Sequence, residues 1–170
     1  MIQAKVIADS ISVETGKRIT TMVVTMPRII LAEFNTHRMF SRNSASSRAI
    51  PFKKMVNSVE SNPFTPIAWQ KEHSGMQGSE YWTDKDIIKV APCDPNDTGE
   101  RNAIEYNVDM WHCAKRRAVD NAWMLHDAGV TKQLCNRLLE PFMWHTVIVT
   151  ATEWENFFAL RCSRYEEPLS

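Results

Sequence analysis

Twelve consecutive residues, 37–48 (HRMFSRNSASSR), hold three arginines, one histidine, one asparagine and four serines. Guanidinium forks and hydroxyl donors at this density suit a phosphorylated ligand, because both can point charge-assisted hydrogen bonds at phosphate oxygens. Composition alone is equally consistent with a solvated, flexible loop. A second polar set lies in the last third of the chain, with Arg137 in 129–141 (GVTKQLCNRLLEP) and Asn156 and Arg161 in 156–161 (NFFALR). A single arginine on a helix is ordinarily a surface charge. His112 and His126 stand fourteen positions apart with no H-E-x-x-H pattern, so a zinc site is not expected. His145, in a β-rich stretch, reads as a core or interface histidine. The four cysteines, Cys93, Cys113, Cys135 and Cys162, include no C-x-x-C pair and read as free thiols.

The spacing H-R-x-x-S-x-N-x-x-S-x-R across 37–48 resembles the signature R-H-R-x-x-S-x-N-E-x-S-x-R-Y of the flavin-dependent thymidylate synthases. Six polar positions coincide. Thr36 stands where that family has its first arginine, Ser44 where it has glutamate and Ala49 where it has tyrosine. The family's upstream histidine and glutamate have no counterpart in residues 12–18 (SVETGKR). The run 129–141 is similar to the family's helix ending in R-x-x-L-P, which aligns Arg137 with an arginine used on the nucleotide phosphate and puts Glu140 in the leucine position. Residues 156–161 resemble the family's N-F-L-x-L-R, while Thr150, Ala151 and Thr152 stand where it usually has N-x-R. Only nine residues follow Arg161, so a short version or a fragment of the family is expected.

The resemblance implies an α+β fold, with an antiparallel or mixed sheet, one long helix and several shorter ones. It also implies transfer of a one-carbon unit from 5,10-methylenetetrahydrofolate to C5 of dUMP, giving dTMP, with FAD and NADPH. C5 of uracil is a poor nucleophile, and a preorganised cation at the ring edge helps by stabilising charge on N3 and O2. Arg161 inherits that catalytic role. Ser46, Ser47, Arg48 and Arg137, together with Arg161, inherit contacts to the pyrimidine deoxynucleotide monophosphate, and His37, Arg38, Ser44 and Asn156 inherit contacts to the flavin. Ser41 and Asn43 are equally well explained as bonding the loop to itself. A homotetramer with shared active sites is the assembly implied. The substitutions leave open a related dCMP or dUMP methylase or hydroxymethylase, and a catalytically silent nucleotide-binding homologue.

Behind these residues stand the elements that must position them. Residues 2–12 partly alternate apolar and polar positions and 18–26 are β-branched, with a turn at 15–17; together they predict a hairpin. Pro27 opens a short helix, and 36–48 lacks apolar periodicity and reads as a loop. Phe52, Met55, Val56 and Val59 predict a helix over 51–61. The Pro- and Gly-bearing stretch 62–101 reads as irregular, with one short helix near 83–90 and a turn at 75–78 that could line the site. Ile104, Val108, Trp111, Ala114, Ala118, Ala122 and Leu125 predict a long helix over 101–128, stopped by Gly129. Thr131 is an N-cap candidate for a helix over 132–139. A strand over 143–151 and a helix over 153–161, with Trp154, Phe157, Phe158 and Leu160 facing inward, complete the chain.

The whole, 1–170, is the size of one domain. Twenty basic residues balance twenty acidic ones, so no overall field recruits nucleic acid or an anionic membrane surface, and phosphate recognition must be local. No stretch of about 18 apolar residues suggests a membrane span, and a cytoplasmic protein is expected. The six tryptophans read as core and subunit-contact residues.

Overall fold

The computed structural model describes residues 1–75, 78–91 and 97–161, with Leu160 and Arg161 described by backbone alone. Met76, Gln77, Cys93, Cys162 and the side chains of Leu160, expected to face inward, and Arg161 therefore lie outside the described residues. Strand β1 (Gln3–Ile11) turns back antiparallel onto β2 (Arg18–Pro27), as the alternation predicts, with a register shift between Val6 and Ala8. Gly16, at φ 65°, supplies the left-handed residue of the turn, and its N–H donates to the Ser12 carbonyl. A 3-10 turn (Arg28–Ile30) and helix α1 (Leu31–Phe34) follow.

The expected loop is interrupted by strand β3 (Ser41–Ser44), which pairs antiparallel with a late strand, Trp144–Ala151. Polar side chains hid it, because an edge strand satisfies its ladder through backbone groups and leaves no apolar period to read. Helix α2 (Phe52–Ser61) buries the four residues whose spacing predicts it, Phe52, Met55, Val56 and Val59. The helix expected near 83–90 is instead strand β4 (Ile87–Lys89), paired with β5 (Glu100–Asn102). Asp86 closes a turn just before β4. Its carboxylate accepts from both the backbone N–H and the hydroxyl of Thr83, each at 2.7 Å, and the residues beyond it satisfy their backbone groups against β5 in place of a helix.

The long helix α3 (Ala103–Asp127) starts where the Asn102 side chain accepts from the N–H groups of Ile104 and Glu105. It ends in a Schellman arrangement: Gly129 at φ 82° donates to His126, and Val130 donates to Leu125. Thr131 occupies the N-cap position of α4 (Lys132–Arg137), but its hydroxyl makes no capping bond. After a 3-10 turn (Glu140–Phe142), β6 (Trp144–Ala151) enters the middle of the sheet, whose order is β1-β2-β6-β3. Helix α5 (Glu155–Arg161) closes the described chain.

Two cores result. One packs α2 against α3 and α4 through Met55, Val56, Val59, Val119, Ala122 and Leu139. The other gathers Met26, Phe40, Val147, Val149 and Ala151, with Trp154 and Phe157 against them. Alternation along β6 sends His145, Val147, Val149 and Ala151 inward and leaves Thr146 and Ile148 exposed. Phe158, expected inward, is 48% exposed and stacks on Trp154.

Asn136 ties the two halves together. Fully buried on α4, its Nδ2 donates to the carbonyls of Ser47 and Ile50, at 2.8 and 2.9 Å. Asn136→Ala should cost about 2–3 kcal/mol in chemical denaturation, because it strands two carbonyls that have no other donor among the described residues. A loss below about 0.5 kcal/mol would show that the amide does not fasten this turn.

Candidate functional site

The segment after α1 is wound into a compact turn by its own backbone and by one arginine. Thr36 donates its hydroxyl to the Glu33 carbonyl at 2.6 Å, and the N–H of Phe40 reaches the carbonyl of His37. Arg42 donates through Nη1 to the carbonyls of Phe34 and His37, at 3.1 and 3.2 Å, so this arginine braces the turn from inside. Phe40 is thereby driven into the sheet-side core. Its ring centroid lies 4.7 Å from that of Trp154 and 5.2 Å from that of Phe157. The His37 ring meets Phe157 edge-on at 4.9 Å. These ring contacts bring α5 beside a turn more than a hundred residues earlier in the chain.

Between them lies a cavity of about 550 Å³, walled by the rings of His37, Phe40 and Phe157 and rimmed by Arg38, Glu153 and Asn156. A smaller one of about 400 Å³, with Glu33 and Phe34, shares His37 and Phe157 with it. Three of the four residues expected at a flavin, His37, Arg38 and Asn156, thus surround one space. The fourth, Ser44, is elsewhere, paired with Val147 in β3.

Arg137 lines a different cavity, of about 500 Å³, between the Arg28–Ile30 turn and the Glu140–Phe142 turn, together with Arg28, Asn35 and Glu140. Arg28 is anchored there. Its Nη2 donates to Glu140 Oε1 and its Nη1 to His145 Nε2, each at 3.3 Å. His145 is 5% exposed. Burial, and secondly the Arg28 cation, hold its pKa below the ordinary 6.5, with Glu140 opposing them. A neutral imidazole with its proton on Nδ1 is the form that accepts from Arg28.

Ser46, Ser47 and Arg48 line neither cavity. They form the turn that Asn136 fastens: the Ser46 hydroxyl accepts from the N–H of Arg48 at 3.3 Å, Ser47 is buried, and Arg48 is exposed. Arg161 belongs to α5, the helix that carries Asn156. Arg28 and the ring pair Phe40 and Phe157 are not among the residues that the motifs single out. The aromatic run 154–158 was a signal for the second, whereas nothing in the sequence around Arg28 pointed to His145 and Glu140. Among the described residues no group of three or more His, Cys, Asp or Glu side chains could hold a metal ion, and no helix is long and apolar enough to cross a membrane.

No protein-family model and no curated protein sequence matches this chain. Solved structures do. A UMP/dUMP methylase, PolB from Streptomyces cacaoi, bound with 5-Br UMP, superposes with a TM-score of 0.55 at 13% identity, over 89% of this chain and 72% of that one. The same enzyme bound with 5-Br dUMP gives 0.53 at 13% identity, over 89% and 73%. The chain shares their fold. At this identity the likeness is one of architecture, and it agrees with the α+β fold that the motifs imply.

The environment of His145 makes stability depend on pH. Between its folded value and the unfolded value near 6.5 the unfolded chain binds more protons, so this contribution is complete above about 6.5 and is lost as pH falls toward the folded pKa. The thermal midpoint should drop between pH 7.5 and 5.5, and His145→Gln should flatten part of that slope. An unchanged slope in the variant would remove His145 as its source.

Proposed function

We propose that this chain is a flavin-dependent enzyme that transfers a one-carbon unit from methylenetetrahydrofolate to C5 of dUMP, giving dTMP. The observation that carries the reading is the convergence of His37 and Arg38 with Asn156 around one ring-walled cavity, from two motifs far apart in sequence. The shared fold with a methylase solved with 5-bromo uridine nucleotides supports the same substrate class.

The cavity fits a flavin ring system in kind. An isoalloxazine needs an apolar wall and polar groups at its edge, and here the rings of His37, Phe40 and Phe157 provide the wall while Arg38 and Asn156 provide the edge. When bound, FAD reduced by NADPH would supply the hydride that completes the methyl group. His37, Arg38 and Asn156 would hold the cofactor. Arg161, on the same helix as Asn156, would stabilise negative charge on N3 and O2 of the pyrimidine and so raise electron density at C5. Arg137 would take the phosphate. Ser46 and Arg48, exposed on a turn whose shape buried Ser47 helps fix, and Ser44 beside them, would act in the site of a neighbouring subunit. A homotetramer with shared sites accommodates that division.

The deciding assay incubates the protein with FAD, NADPH, methylenetetrahydrofolate and one of dUMP, UMP or dCMP, and identifies the product by mass. A C5-methylated dUMP is the expected product. Arg38→Ala should weaken FAD binding about tenfold or more, read from flavin fluorescence, with the circular dichroism spectrum unchanged. Arg161→Ala should retain FAD and lose turnover. No flavin binding, together with no C5-substituted product from any of the three nucleotides, would overturn the reading.

A further inference from the structure

Glu153 belongs to none of the three motifs, yet it is the one carboxylate among the lining residues of the cavity walled by His37, Phe40 and Phe157. It stands on the short link between the end of β6 at Ala151 and the start of α5 at Glu155. That link is anchored. The ring of Trp154, the next residue, packs on Phe40 with centroids 4.7 Å apart, and the Trp154 carbonyl accepts from the N–H of Phe158 at 3.1 Å. Arg38 and Asn156 complete the polar rim. Among the described residues the side chains of Arg38, Glu153 and Asn156 make no hydrogen bond or ion pair, with one another or elsewhere.

We propose that Glu153 selects the ring that fills this cavity, its carboxylate accepting the N3–H of a cyclic imide whose two flanking carbonyl oxygens take donors from Arg38 and Asn156.

The three rim groups differ in kind. A guanidinium only donates, an ionised carboxylate only accepts, and a primary amide does both. One obligate acceptor with two donors matches a ring edge that reads acceptor, donor, acceptor, which is the order in O=C–N(H)–C=O. Charge points the same way. Arg38 and Glu153 carry the full charges of the lining and cancel, so the cavity favours a neutral polar ring over an anion. An acidic residue just ahead of a helix ordinarily serves the helix N-terminus. Glu155, in the first turn of α5, already supplies that charge and lies outside the lining. A carboxylate facing the ring also excludes competitors. A ring with a lone pair at the middle position would meet it with like polarity, and a ring substituted there would leave it desolvated and unpaired.

Isoalloxazine and uracil both carry this imide edge. The assignment to the flavin rests on the proposed function, in which Arg161 serves the uracil edge; the selection of an imide by Glu153 does not. FAD and its N3-methyl analogue are therefore titrated into the full chain, Glu153→Ala and Glu153→Gln, and followed by flavin fluorescence. The parent should bind the N3-methyl analogue about tenfold or more weakly than FAD. Glu153→Ala should shrink that ratio to about twofold or less, because the methyl group then meets no carboxylate. A side chain acting only on the fold would weaken both flavins alike and leave the ratio as it is in the parent. Glu153→Gln keeps an acceptor oxygen and removes the charge. It should retain part of the discrimination and raise the midpoint potential of the bound flavin, since a negative group beside N3 opposes the electron density that reduction adds to the ring. Circular dichroism reports whether each variant is folded.

The same titrations with dUMP and N3-methyl-dUMP separate the two sources of the edge. Discrimination that depends on Glu153 in the nucleotide pair and not in the flavin pair keeps the carboxylate as an imide reader and removes the flavin from this cavity. FAD binding with a ratio near one in the parent, or with a ratio unchanged in Glu153→Ala, and no dependence on Glu153 in the nucleotide pair, would overturn the inference and leave the proposed function standing. A parent chain that binds neither FAD nor dUMP would remove both.

Discussion

Packing of Phe40 between the inner face of β6 and the rings of Trp154 and Phe157 is the contact on which the cavity depends. It converts a polar, serine-rich stretch with little helix or strand propensity into a turn of fixed shape. The burial of one phenyl ring, worth about 1.5–3 kcal/mol, fixes the backbone from His37 to Ser41, and the Arg42 side chain closes the turn from within. Strand β3 then pairs along the edge of β6, in register from Ser41 opposite Thr150 to Ser44 opposite Val147. His37 and Arg38 are oriented by a neighbour in sequence that has no polar chemistry of its own.

A different economy governs the other cavity. Its polar groups are held by one another: a carboxylate, an imidazole and a guanidinium, each largely out of water and each satisfying a neighbour. Buried charge is tolerated only when paired and hydrogen-bonded, and the Arg28–Glu140 pair meets that condition. Short helix α1 and the turn before it stand between the two cavities. Ile29 and Ala32 face the one that holds Arg137, while Ile30, Glu33 and Phe34 face the side of His37 and Phe157.

Much of the framework was readable because its signals are local. The three- and four-residue steps of α3, the glycine at its end and the alternation in β6 each follow from how a single element buries one face. Strands β3 and β4 were not readable for the opposite reason. The first exists because β6 offers a free edge, the second because it pairs with β5 more than ten residues later, and neither cause lies within the strand itself. The same distinction runs through the candidate site. His37, Arg38 and Asn156 stood out through motif spacing, whereas Arg28 gains its surroundings from residues more than a hundred positions later. A hydrogen bond across that distance leaves no periodic trace.

Among the described residues, helix α5 joins the rest of the chain through ring contacts, and no backbone hydrogen bond ties it to another element. The opposite side of the large cavity is the turn over 36–40, which leads directly into edge strand β3. A flat guest that parted the two sides would exchange the ring contacts of Phe157 with His37 and Phe40 for contacts with itself and leave the register of the sheet untouched.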